Sequence, residues 1–381
     1  MRPILPLPVL LALALLGTAT VLPAQSVVDA SARVGPQFMT YDIKSPIGQK
    51  ISEYALPVYV LIPATGSLSF DVGAAWARVT VASANGNGSP ETSELSGLTD
   101  TQIRANYSIG TDFIVLTAGL NLPTGTSTVL PDQLAAATRI ASDFLLFPIT
   151  GFGTGAGGTG GVALARHLGD WNVGVGAAVR HSVAYDPFED TTGAKLHFQP
   201  GDEYRARVGV DRPYGTGRIS FGLTYSRFGN DRAGESVYNT GDRYVAQASV
   251  TNSVSNADIV VAGWDLFRAA GALANQTRTG RENIADVGVA VGFHTASGWS
   301  IEPSLEGRVW TQAAASISAS YMGTAGVRLN YNAGGYAITP FVGYTAGSVG
   351  GVTATSPASA IAAASSMTGL RAMLTIQFGG F

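Results

Sequence analysis

The chain has 381 residues, with 48 Gly, 18 Pro, no Cys, 13% charged residues and a formal net charge of -3. The absence of Cys excludes disulfides, thiolate catalysis and thiolate metal sites, and a near-neutral balance leaves no basic footprint for nucleic acid. Hydrophobic residues reach 46%, yet no apolar run of about 20 residues follows the N-terminus, which excludes helical membrane spans and suits short alternating strands.

In chain order, Arg2 precedes an apolar stretch over 4–22 that ends in small and turn-forming residues, the pattern of a secretory signal peptide. The segment 1–24 is expected to be removed, by cleavage after Ala24 or after Gln25, and Pro6, Pro8 and Pro23 argue against a membrane anchor. From about residue 29 the sequence repeats one device, a run of roughly ten residues with alternating apolar and polar side chains closed by turn formers. Tyr204, Ala206, Val208 and Val210 oppose Arg205, Arg207, Gly209 and Asp211. Ile219, Phe221, Leu223 and Tyr225 oppose Arg218, Ser220, Gly222, Thr224 and Ser226. The same split recurs with Val287, Val289 and Val291 against Asp286, Gly288 and Ala290, and with Leu370, Leu374 and Ile376 against Arg371, Met373 and Thr375.

The links between runs alternate in length. Short ones fall at 64–67, 109–111, 169–170, 213–216, 253–256, 296–298 and 332–335, and long ones at 83–97, 123–160, 184–202, 229–241, 268–281 and 348–367. Tight turns on one side and long loops on the other are the mark of an up-and-down outer-membrane barrel, a rule that a Greek-key sandwich does not follow. The fold expected over 25–381 is therefore an all-β, transmembrane antiparallel barrel of 16 strands, with 14 as the alternative, and a long outward loop at 123–160. The strand count is least secure at Pro36, at Pro57 and in the Gly-rich run 151–161, because Pro and Gly weaken strands. Such a barrel must close, since an open edge would leave backbone groups unpaired in hydrocarbon. Trp76, Trp171, Trp299, Tyr107, Tyr331, Tyr336 and Tyr344 fall near expected strand ends, where interfacial girdles form. Phe378 keeps the register of Leu374 and Ile376, whereas Phe381 follows Gly379 and Gly380 and would join that face only through a bulge.

The stretch Leu98-Thr99-Asp100-Thr101, the strand through Tyr107, and Leu120-Asn121-Leu122-Pro123-Thr124-Gly125 resemble the outer-membrane transporter families related to the fatty-acid channel FadL and the MetA-type channels of phenol degradation. The resemblance spans roughly residues 30–185 and is architectural beyond them. It implies a barrel that passes hydrophobic or aromatic compounds. An Asn-Pro-Ala hatch motif and an N-terminal plug segment are missing from the sequence, so the likeness does not extend to fatty-acid gating.

On the expected lumen face stand Arg104, Arg180, Arg205, Arg207, Arg218, Arg308, Arg328 and Arg371, with Asp71, Asp211, Asp286, Glu302 and Glu306. Opposed charges there form a transverse selectivity field or rigid ion pairs that fill a wet interior. Arg outnumbers Lys throughout, which suits fixed bidentate pairs. In the long link, Leu134, Ile140, Phe144 and Leu145 could line one side of a short helix ended by Pro148, either constricting the mouth as a gate or capping it from outside. Gly153, Gly155 and Gly158 match a dinucleotide-loop spacing without the flanking strand and helix it needs, and read as a loop. His167, His181, His197 and His294 are too scattered for a metal site. His181 and His294, with Ser182 or Asp286, are the least unfavourable hydrolase candidates, and no nucleophile elbow frames a serine. The acidic group Asp186, Glu189, Asp190, Asp202 and Glu203 suits either calcium or plain solvation. The expected role is a passive channel for small hydrophobic or aromatic molecules. A general hydrophilic porin is the alternative, and a rim hydrolase or a structural barrel ranks below both. No cofactor is expected, and the partners are outer-membrane lipid, lipopolysaccharide and a small solute, with the protein as a monomer.

Overall fold

The computed structural model describes residues 30–45, 47–84, 90–110, 113–275, 278–295, 298–313, 318–350 and 364–379. The expected signal segment and Phe381 lie outside them. One antiparallel sheet of eighteen segments closes on itself. Two of its strands are each broken once, so the barrel has sixteen strands, as expected, and not fourteen. Strand β1 is Ser31–Val34 continued by Gln37–Ile43, β2 is Gln49–Pro63, β3 is Leu68–Ala84, and β4 is Pro90–Leu98 continued by Thr101–Ile109. Then follow β5 (Ile114–Leu122), β6 (Gly157–Leu168), β7 (Trp171–Ser182), β8 (Glu203–Tyr214), β9 (Gly217–Phe228) and β10 (Arg243–Val254). The circuit is completed by β11 (Ala257–Arg268), β12 (Glu282–His294), β13 (Trp299–Gln312), β14 (Ser320–Asn332), β15 (Tyr336–Val349) and β16 (Ser365–Phe378).

Closure runs through β1, whose two halves pair with β16 at Ala32↔Phe378 and Met39↔Arg371 and with β2 on the other side. The break in β1 falls at Gly35 and Pro36, where proline has no N–H to give, but the Pro36 carbonyl still accepts from Leu374 at 3.0 Å. The expected long link 83–97 is largely strand: Pro90–Leu98 pairs with β3 from Ala84↔Pro90 to Trp76↔Leu98. Its polar side chains disguised it, because this half-strand stands beyond the lipid and has no apolar outward face to show. Both described termini lie on the side of the tight turns, as an even-numbered single-chain barrel requires. Gly169 and Gly215 sit in those turns at φ of 62° and 51°, a left-handed conformation that a side chain would strain.

The outward face is apolar and aromatic. Leu305 is 62% exposed and pairs with outward-facing Val289 and Ala325. Tyr225, Tyr244 and Phe267 form one girdle, with ring centroids 5.0 and 6.1 Å apart. Trp299, Tyr331 and Tyr336 form another near the tight turns, at 4.6 and 6.3 Å. On β14, Tyr321 and Tyr331 bracket ten residue steps, or about 33 Å along the strand and about 25 Å along the membrane normal after tilt. That is the height of an outer-membrane hydrocarbon band. Strands β2 and β3 run past it. Beyond Tyr54 and Trp76, which meet edge to face at 5.9 Å, the outward positions turn polar with Ser52, Lys50, Arg78 and Thr80.

Two long links carry a separate four-stranded sheet outside the barrel, made of Tyr185–Glu189, Lys195–Gln199, Asp231–Ala233 and Ser236–Tyr238. Its acidic residues do not converge. Asp186 faces His197 at 3.3 Å, Glu189 faces Lys195 at 3.9 Å, and Asp202 faces His181 at 2.7 Å. Glu203 takes Arg205 inside the barrel. Asp190 holds its own turn, where the Thr192 hydroxyl and the N–H groups of Ala194 and Thr192 keep its carboxyl below the usual carboxylate range. No group of three metal-ligating side chains occurs among the described residues.

Candidate functional site: a bore crossed by an inward strap

The link between β5 and β6 folds into the barrel instead of standing outward. After a 3-10 turn at Pro131–Gln133 and a helix α1 at Leu134–Ile140, the chain crosses the lumen and touches strands far apart around the circuit. Ala136 N–H donates to Ser93 Oγ of β4 at 3.2 Å, and Asp143 meets Arg268 of β11 at 2.7 Å. The Phe144 carbonyl accepts from Arg308 of β13 at 2.8 Å. The Leu145 carbonyl accepts from the Tyr41 hydroxyl of β1 at 3.0 Å, and Ile149 N–H donates to Glu53 of β2 at 2.9 Å. Only a segment inside the barrel reaches five walls at once. The root of this strap is tied by Asp100, in the break of β4, whose carboxylate accepts from Gly125 N–H, Thr154 N–H and Asn121 at 3.0, 2.7 and 2.8 Å.

The helix is shorter than the sequence suggests. It stops at Ile140, eight residues before Pro148, where Ala141 leaves the helical conformation at ψ 0°, and the chain beyond gives the carbonyls of Phe144 and Leu145 to the barrel wall. Leu146 then adopts a left-handed φ of 50°. Of the expected gate residues, Ile140, Phe144 and Leu145 are buried, and Leu134 is 47% exposed and stays outside that cluster. The buried three pack with Phe147 against inward-facing Met39, Tyr41, Ile51, Val79 and Leu95. Tyr41 and Phe147 meet edge to face at 5.5 Å. Each such burial stabilises by about 1.5–3 kcal/mol relative to an exposed side chain, so the strap is seated and not merely lodged.

At its far end the strap rests on a charged knot. Arg308, 5% exposed, donates through Nε to Asp286 at 2.8 Å and through Nη2 to Glu306, and its guanidinium lies 5.7 Å from the Trp264 ring centroid. Arg268 binds Glu282 at 2.7 Å as well as Asp143. Arg328 pairs with Glu302 across the β13–β14 ladder and stacks on Phe341 at 5.7 Å. Arg371 sits in the register row between Met39 and Gly343, with its Nε buried and without a partner among the described residues.

Asp71 lies on β3, and the remaining predicted lumen residues lie on the Thr101–Ile109 half of β4 and on β7 to β9, a wall the strap does not cover. Arg104, Arg180, Arg205, Arg207 and Arg218 are all exposed there. Arg205 pairs with Glu203 at 2.7 Å and Arg218 with Asp211 at 2.6 Å. The bore beside them has one cavity of about 1080 Å³ that includes Arg207, Asp211, Gln247 and Trp264, and another of about 580 Å³ lined by Arg33, Tyr59, Asp71, Arg104 and Arg180. Sequence reasoning missed Arg33 and Tyr59, which sit beside the proline-weakened start of the barrel, where Arg33 lies 5.5 Å over the Tyr59 ring.

The hydrolase candidates do not assemble. His181 stands at the outer end of β7 with Asp202, whereas His294, at the opposite end of β12, pairs with Asp258 at 2.7 Å. Ser253 donates to that same Asp258 at 2.5 Å, so this serine touches the acid and not the imidazole, the reverse of an activated nucleophile. Ser182 is buried, and Asp286 is engaged by Arg308.

No protein-family profile and no curated protein sequence matches the chain. Solved structures do. A bacterial polysaccharide outer membrane secretin is 9% identical with a TM-score of 0.50, over 92% of this chain and 98% of that one. OmpT of Vibrio cholerae is 10% identical (TM-score 0.43, 92% and 97%). An outer membrane channel from Pseudomonas putida F1 is 13% identical (TM-score 0.38, 93% and 97%). The chain is an outer-membrane β-barrel. At these identities the likeness concerns the fold alone.

Proposed function

We propose that the protein is a passive channel for small water-soluble solutes, a monomer set in lipid and lipopolysaccharide that works without turnover. The observation that carries this reading is the uncovered, guanidinium-lined wall from β4 to β9 beside a cavity of about 1080 Å³, since sixteen strands enclose more space than their own side chains fill. Of the two solute classes suggested by the sequence, the polar bore favours the hydrophilic one. The strap occupies the inward apolar cluster of β1 to β4, and the apolar side chains left to the open cavity, Val245, Trp264, Phe341 and Met373, stand among Arg207, Asp211, Gln247, Glu302 and Arg371. Reconstitution tests this. Planar bilayers are expected to show discrete conductance steps, and liposomes are expected to swell in small sugars without preference for an aromatic tracer. Aromatic uptake without sugar swelling would restore the hydrophobe channel, and silent bilayers would leave a structural barrel.

A further inference from the structure

We infer that the β4–β9 wall selects small inorganic and carboxylate anions; this rests on the channel reading above. The inward rows of these strands mix arginine with small residues. Arg104 stands between Asp71 and Gly119, Arg180 between Thr159 and Glu203, and Arg207 between Gly176 and Thr224. Their guanidiniums therefore project into open bore and are not packed under neighbours. Of the carboxylates on the same inward faces, Glu203 holds Arg205 and Asp211 holds Arg218, while Asp71 accepts from the neutral Asn106 amide at 2.8 Å and keeps its charge, leaving the arginines in excess. Among the described residues, Arg33, Arg104, Arg180 and Arg207 make no ion pair. Across the bore the balance differs, because Asp286 and Glu306 are held by Arg308, and Glu302 by Arg328. One wall is thus electropositive, whereas on the facing one the three carboxylates meet three guanidiniums, those of Arg308, Arg328 and Arg371.

A water-filled passage with low-dielectric walls focuses such a field, and at moderate salt it reaches about one Debye length of 8–10 Å into the bore. The planar guanidinium fork, more weakly hydrated than an ammonium, matches a carboxylate and lets it go again in a wet bore.

The test is the reversal potential of the reconstituted protein in a roughly tenfold KCl gradient kept near 0.1 M, where screening is incomplete. The wild type is expected to pass chloride about three- to tenfold better than potassium, with acetate able to replace chloride. The triple variant Arg104→Gln, Arg180→Gln, Arg207→Gln is expected to bring the ratio near one, and the corresponding triple Lys variant to keep the wild-type sign. Heat-dependent gel mobility checks that each variant is a folded barrel, and the single variant Arg207→Gln, with a smaller shift in the same direction, serves if the triple does not fold. Conductance steps with a null or cation-directed wild-type potential, or an unchanged potential in the Gln variants, would overturn anion selection while sparing the channel. Bilayers without conductance would overturn both.

Discussion

Excising residues 133–149 and closing the gap with a short Gly-Ser link is expected to raise single-channel conductance roughly two- to threefold, since a sixteen-strand barrel without an internal obstruction leaves a wide aqueous passage. The strap occupies the space between the β1–β4 wall and the β11–β13 wall, tied at Ser93, Arg268, Arg308, Tyr41 and Glu53. Its loss uncovers Met39, Ile51, Val79 and Leu95 to water inside the lumen, so the excised protein should also unfold at lower denaturant. A gentler pair, Tyr41→Phe with Asp143→Asn, removes one hydrogen bond and one ion pair and keeps the apolar seat. It should leave the main conductance level near wild type and add brief excursions to a higher one. Single-channel recording distinguishes the two behaviours, and an unchanged conductance after excision would mean that the strap does not limit flow.

Arg308→Ala is expected to cost about 3–5 kcal/mol, the range for breaking one partner of a buried pair. It leaves Asp286, 8% exposed, and Glu306 side by side without their counter-charge, and the Phe144 carbonyl loses its donor. The contrast is informative. Replacing Arg308, Asp286 and Glu306 together by apolar residues of similar volume should cost far less, because no uncompensated charge remains. Urea-induced unfolding of the reconstituted barrels, read by tryptophan fluorescence, measures both. Trp264 and Trp310 lie at this knot and report it locally. Equal losses in the two variants would mean that packing, and not charge compensation, stabilises the site.

The barrel was legible because a period of two survives tilt, shear and turn length. Ile219, Phe221 and Leu223 against Ser220, Gly222 and Thr224 already separate outside from inside, and the structure keeps that split along β9. The destination of the strap was not legible in its own residues, since Ile140, Phe144 and Leu145 would be equally apolar beneath an external cap. Its signal lay elsewhere, in β2 and β3. Along β3 the apolar positions are even through Phe70, Val72, Ala74 and Trp76, then become odd at Ala77, Val79 and Val81, while Arg78 and Thr80 take the even places. The pairing with β2 continues through this change without a bulge. A phase change in an unbroken ladder means that the environments have exchanged: the outside has left the lipid and the inside has been covered. β2 repeats it, from Ile62, Val60 and Val58 to Ala55 and Ile51. The ion-pair partners were out of reach for another reason. Arg268 chooses Asp143 across 125 residues of sequence, a choice set by how the strap lands and not by any local spacing.

The two-sided wall itself is open to direct measurement, because the chain contains no cysteine and single introduced thiols are unambiguous. Cysteines placed one at a time from Ser220 to Tyr225 in the reconstituted protein should react with a membrane-impermeant thiol reagent at 220, 222 and 224, lowering the current, and stay unreactive at 221, 223 and 225. Reaction at all six positions, or at the odd ones alone, would contradict a barrel that turns one face to hydrocarbon and the other to a water-filled bore.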